Sequence, residues 1–270
     1  MELAGLAGFL KIAAGVAIGL PLVMYLAQDS LLFYKQPLSE GRRADVAKRH
    51  PQAREIFLQA KDGAKIHAWH LQAGAPLVIY FGGNAEEVSW MLDEAPARAP
   101  GVSWLLVDYR GYGGSEGSPS EENISADALA WYDHALQHLA TQKVIAFGRS
   151  LGSGAAVYLA SQRKLEGVVL VTPYDSLVAV AGHHYPWLPV NWMLRHRFDS
   201  IGHAPKLTTP LLCVAASRDD IIPMKLAKRL YDAWGGPKRW VGLEEAGHNT
   251  TDSHPLFWQN VASFLAKPGL

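Results

Sequence analysis

Six short apolar runs separate helical patterns along most of the chain, and this rhythm constrains the fold most. The runs are Leu77–Phe81, Val102–Val107, Val144–Phe147, Val168–Val171, Leu211–Ala215 and Arg239–Leu243. Helical patterns fall at about 85–97, 122–140, 151–162, 224–234 and 255–266. Strands that read as continuous apolar runs are buried on both faces, which requires a mostly parallel sheet with helices on either side. A hairpin precedes the first run. Glu55 to Ala60 is strand-like, Lys61-Asp62-Gly63 supplies a turn, and Lys65 to Leu71 alternates as a second strand. The chain of 270 residues, 49% of them hydrophobic, suffices for one α/β domain over about 51–270 with a short N-terminal appendage.

Charge and cysteine content narrow the function. Lys and Arg total 25 against 25 Asp and Glu, and no basic run is interleaved with aromatics, so no nucleic-acid partner is expected. A single cysteine, Cys213 in an apolar run, excludes an internal disulfide and a Cys-rich zinc site and reads as a core thiol. His134 and His138 stand at i, i+4 but lack an evident third ligand, so they read as a solvated helix face. No cofactor and no metal is expected.

Residues Leu3 to Ala27 are apolar apart from Lys11. As a helix they would span about 37 Å, enough for a hydrocarbon core of roughly 30 Å. Residues 1–28 are therefore expected to be a single-pass membrane anchor and 29–50 a linker. A signal peptide fits less well, because the start Met1-Glu2-Leu3 is not basic and Tyr25-Leu26-Ala27 is a poor cleavage site. A long buried helix is the third reading. Lys35, Arg42, Arg43, Lys48 and Arg49 follow the span, which would put the catalytic domain in the cytoplasm.

The chemistry centres on Gly148-Arg149-Ser150-Leu151-Gly152, a G-x-S-x-G sequence that follows a strand and opens a helix of small residues. This frame holds a serine exposed on a strained turn at a helix start. Gly113-Gly114-Ser115-Glu116-Gly117 has the same pattern, but Ser118-Pro119-Ser120 follows it instead of a helix, so it reads as a Gly-rich turn. Serine needs a base. After the seventh core strand comes Ser217-Arg218-Asp219-Asp220-Ile221-Ile222-Pro223, and after the last comes Gly247-His248-Asn249. His248 is the expected base, and Asp219 the expected acid with Asp220 as its rival. Tyr80-Phe81-Gly82-Gly83-Asn84-Ala85 ends an earlier strand. Backbone N–H groups of Asn84 and of Leu151 are the expected oxyanion donors. Residues 174–206 interrupt the strand–helix rhythm with an aromatic, proline-rich stretch. They are expected to form a small lid; a packed surface helix without substrate contact is the alternative.

These stretches, together with Asp108-Tyr109-Arg110-Gly111-Tyr112-Gly113-Gly114-Ser115, resemble the membrane-anchored α/β-hydrolase-domain proteins, related to serine aminopeptidase-like and lysophospholipase-like hydrolases and to protein depalmitoylases. The resemblance spans about 30–270. It implies an α/β-hydrolase fold, and it favours Asp219, the Asp four residues before Pro223, as the acid. Gly82 stands where the family usually has His. The expected function is hydrolysis of an ester or thioester with an acyl-chain or lipid-like substrate. A serine peptidase, a catalytically silent membrane-tethered binding platform and a perhydrolase are the alternatives.

Overall fold

The computed structural model of the chain describes residues 15, 19–139 and 141–268. Residues 19–32 are helical (α1), followed by α2 (Glu40–Arg49). Then come β1 (Ala53–Gln59), β2 (Lys65–Leu71), β3 (Leu77–Phe81), a 3₁₀ turn at Val88–Trp90, α3 (Met91–Arg98) and β4 (Ser103–Val107). The chain continues with α4 (Glu121–His138), β5 (Val144–Arg149), α5 (Leu151–Gln162), β6 (Gly167–Val171), α6 (Leu177–His184), α7 (Val190–Met193) and α8 (Ser200–His203). It closes with β7 (Leu211–Ala216), α9 (Met224–Ala233), β8 (Lys238–Leu243) and α10 (Pro255–Ala266).

The eight strands form one sheet in the order β1-β2-β4-β3-β5-β6-β7-β8. β2 pairs antiparallel with β1 and β4, and all other neighbours are parallel. Side chains alternate across a strand, so β3 sends Leu77, Ile79 and Phe81 into one core and Val78 and Tyr80 into the other. The first core is closed by α4, α5 and α9, the second by α2, α3 and α10. The three-layer α/β arrangement follows from burying both faces.

Local sequence explains the helices. Ser120 caps α4 by accepting from the Asn123 N–H (3.1 Å), and Glu121 and Glu122 favour the positive helix start. Ile124, Ala128, Trp131 and Ala135 then form its buried stripe. In α5 the small residues Gly152 to Ala156 let the helix lie close to the sheet, and a Cβ at Gly152 would run into the Phe81 carbonyl. Gly152 thereby fixes the approach of α5 to the end of β3.

Two N-terminal expectations change. Residues 29–50, expected as a linker, carry α2, whose Val46 is fully buried in the second core. The expected single-pass membrane anchor with a cytoplasmic catalytic domain is corrected: among the described residues no helix is long and apolar enough to cross a membrane. Residues 1–14 and 16–18 of the expected span lie outside the described residues. The described end of α1 is instead tied to the 190s segment. Gln28 Oε1 accepts from the Arg195 N–H (2.8 Å), and the Asp29 carboxylate meets His196 Nε2 (2.9 Å). Polar side chains that engage the domain give this helix end a protein surface to pack on.

Candidate active site

The serine stands where a strand turns sharply into a helix. Ser150 follows β5 and precedes α5 with φ 49° and ψ −114°, a conformation L residues rarely adopt. Its amide donates to the Val171 carbonyl (2.9 Å), and its carbonyl accepts from both the N–H (2.9 Å) and the hydroxyl (2.7 Å) of Ser153. A Cβ at Gly148 would collide with the Gly152 backbone. The elbow is thus held from three sides while Ser150 Oγ faces a loop from β8.

That loop carries His248, whose Nε2 lies 2.9 Å from Ser150 Oγ. Its Nδ1 lies 2.8 Å from Asp219 Oδ2. The second Asp219 oxygen, Oδ1, accepts from the N–H groups of Ile221 (3.0 Å) and Ile222 (2.7 Å). This acceptor set favours Nδ1–H on the histidine and leaves Nε2 to accept the serine proton. The rival Asp220 is exposed. The two loops are stitched together: Ser217 N–H donates to the Leu243 carbonyl (3.0 Å), Arg218 N–H to the Ala246 carbonyl (2.9 Å), and Glu245 N–H to Ser217 Oγ (2.8 Å). Ser150, Asp219 and His248 meet at the carboxyl ends of β5, β7 and β8, where open α/β sheets hold their ligands.

The loop after β3 faces Ser150 from the other side. Both polar atoms of the Asn84 side chain are engaged: Oδ1 accepts from the Tyr34 N–H (3.0 Å) and the Tyr112 hydroxyl (2.8 Å), and Nδ2 donates to the Leu32 carbonyl (2.6 Å). Leu151 is the first residue of α5, so its amide is one that no helical carbonyl can reach. The Tyr109 hydroxyl donates to the Gly82 carbonyl (2.7 Å). The Asp108–Ser115 stretch therefore braces the loop through Tyr109 and Tyr112.

Glu86 is the residue that sequence reasoning missed. Its carboxylate accepts from the Gly83 N–H (2.6 Å), the Tyr80 hydroxyl (2.7 Å) and Trp90 Nε1–H (2.8 Å). A Cβ at Gly82 would stand 2.9 Å from Val88 Cγ1 and 3.1 Å from Glu86 Cδ. No side chain fits at Gly82, and the Glu86 carboxylate fills the space beside it. The signal was the absent family histidine together with a Glu four residues on. Burial, and then the nearby Glu86 carboxylate, push the Tyr80 phenol far above its ordinary pKa and keep it a donor. A pocket of about 450 Å³ opens here, lined by Gly83, Glu86, Trp90, Arg149, Ser150 and His248, among others.

The hydroxyl of Ser115, in the second G-x-S-x-G sequence, is held by backbone groups and not by an imidazole. It donates to the Asp108 carbonyl (2.9 Å) and accepts from the His67 N–H (2.8 Å), tying β2 to the turn after β4. The His134 and His138 rings lie tilted against each other with centroids 4.7 Å apart, and no third ligand joins them among the described residues. In the segment expected as a lid, His184 Nε2 lies 2.8 Å from the Ile221 carbonyl, so α6 touches the loop that carries Asp219.

The sheet order and its helices are those of the α/β-hydrolase fold. A family model described as alpha/beta hydrolase fold matches residues 76–202. Uncharacterized protein Rv2307c of Mycobacterium tuberculosis is 36% identical over 249 residues, covering 88% of this chain and 86% of the relative. Lysophosphatidylserine lipase ABHD12 of Danio rerio is 30% identical over 228 residues, covering 74% of this chain and 57% of the relative. Among solved structures, a Pyrococcus furiosus esterase superposes with a TM-score of 0.69 at 17% identity, covering 88% of this chain and 99% of the esterase. The chain belongs to the α/β-hydrolase family.

Proposed function

We propose that this chain is a serine hydrolase that cleaves a carboxylic ester or thioester through an acyl-enzyme. The observation that carries the reading is the unbroken chain of contacts from Asp219 through His248 to Ser150, at 2.8 and 2.9 Å. Ser150 Oγ attacks the carbonyl carbon as its proton passes to His248 Nε2. Asp219 holds the imidazole and stabilises the imidazolium. The Asn84 and Leu151 amides stabilise the oxyanion, which develops only in the transition state. Collapse expels the alcohol or thiol with the proton from His248, and water then releases the acid by the same route. No cofactor takes part.

An acyl-chain substrate is supported by an apolar cavity of about 150 Å³ between α1 and the 181–194 segment, lined by Met24, Leu31, Leu32, Leu188, Val190 and Met193, among others. Residues 174–206 act as the lid over this region. The names of the lipase and esterase relatives agree with ester chemistry. The test is hydrolysis of para-nitrophenyl esters of increasing acyl length. Ser150→Ala and His248→Ala should each lower kcat by about 10⁴–10⁶-fold. Turnover that survives both substitutions would refute the reading.

A further inference from the structure

Arg149, the residue before the nucleophile, lines the same pocket as Ser150 and His248. Its side chain is only 12% exposed. A guanidinium carries five N–H donors, and burying it without acceptors is costly. Among the described residues no acceptor meets hydrogen-bond geometry with it. The one carboxylate within ion-pair range among the described residues, Asp252, is 3.9 Å away, beyond hydrogen-bond reach. The Tyr80 phenol, which donates to Glu86, is the nearest polar neighbour, and its oxygen can engage at most part of the guanidinium's five N–H groups. Glu86 accepts from Gly83, Tyr80 and Trp90 and acts on Arg149 through its charge, without a hydrogen bond to the guanidinium. The guanidinium carbon lies 5.7 Å from the centroid of the Trp90 ring, an attraction that uses no N–H. Arg110 shows the contrast: it is 5% exposed, and the Asp127 carboxylate accepts from its Nε and Nη2 at 2.8 and 2.9 Å.

We propose that Arg149 is a substrate-binding residue that takes an anionic group, a carboxylate or a phosphate, close to the scissile bond. The proposal rests on the hydrolase reading above and names the substrate class of that site: esters bearing a negative charge. A planar fork facing a pocket matches two oxygens of a carboxylate or phosphate. Asp219 and Glu86 each accept three hydrogen bonds from other donors, and neither meets hydrogen-bond geometry with Arg149.

Two matched pairs test this on the full chain. One is para-nitrophenyl hydrogen glutarate against para-nitrophenyl pentanoate. The other is a lysophosphatidate against the monoacylglycerol of the same acyl chain. In the parent, at least one anionic member should exceed its neutral partner in kcat/KM by about tenfold or more, chiefly through KM. Preference in the glutarate pair identifies a carboxylate, and in the lysophosphatidate pair a phosphate. Arg149→Gln should erase the preference, and Arg149→Lys should restore part of it. Equal or lower kcat/KM for both anionic esters in the parent would overturn the inference, as would an undiminished preference in Arg149→Gln. Should the Gln variant fail to fold, the parent's ratios and those of Arg149→Lys still decide. Hydrolysis of the neutral esters without anionic preference would sink this inference alone. Inertness toward all four esters would sink the hydrolase reading as well.

Discussion

At the scale of single residues, the site depends on conformations that local sequence would not choose. Ser150 at φ 49° and Ala85 at φ 58° are left-handed residues other than glycine, each costing about 1–3 kcal/mol that the surroundings must offset. For Ser150 the offset is visible in the Val171 and Ser153 hydrogen bonds. Adjacent acids separate just as sharply. Asp219 has its two oxygens occupied by Ile221, Ile222 and His248, while Asp220 is exposed. Asp219→Asn should therefore lower kcat by about 10³–10⁴-fold through the wrong histidine tautomer, and Asp220→Asn should change it little. Steady-state kinetics on one para-nitrophenyl ester checks both; equal losses would show the acid to be misassigned.

At the scale of elements, most strands and helices were legible because each kind of burial leaves its own pattern. β2 and β3 run over the residues expected, as do α5 and α10, and the remaining core strands differ at their ends by one or two residues. Ends are hard to read because pairing, and not composition, decides them: Arg149 continues β5 because it pairs with Val171. The proposed nucleophile, acid and base were legible because a strand–turn–helix frame and two strand-end loops locate them in the sequence. Glu86, Tyr109 and Tyr112 were not, because their work is contact between loops that only folding brings together. The α2 helix was hidden by its low hydrophobicity: it buries one residue, Val46. Ser115 gives the same lesson from the other side, since its pattern matches a nucleophile but its hydroxyl joins β2 to a turn. Ser115→Ala should cost about 1–3 kcal/mol in denaturant unfolding while leaving ester hydrolysis in place; loss of activity without loss of stability would contradict that role. Inside β7, burial pushes the Cys213 thiol well above its ordinary pKa, so the reactive thiolate is scarce at pH 8. A disulfide reagent should leave Cys213 untouched in the native protein and modify it fully after unfolding; rapid native reaction would mean that β7 is exposed.

At the scale of the whole molecule, the twisted sheet supplies a rigid edge and the loops beyond it supply the chemistry. Loops after β3, β5, β7 and β8 converge at one end, and those after β7 and β8 are joined by hydrogen bonds that hold the proposed acid and base in register. The described part of α1 and the 174–206 segment lie against each other, and Leu32 reaches Asn84 through its carbonyl. The proposed oxyanion loop is thus braced from the N-terminal helix as well as from the Asp108–Ser115 turn. The central claim is that this convergence activates Ser150. The most direct measurement is fluorophosphonate labelling of the folded protein, with the modified peptide mapped by mass spectrometry in the parent, Ser150→Ala and Ser115→Ala. The account predicts one adduct, on Ser150, absent in Ser150→Ala and retained in Ser115→Ala. A folded protein without an adduct, or with one on Ser115, would contradict it.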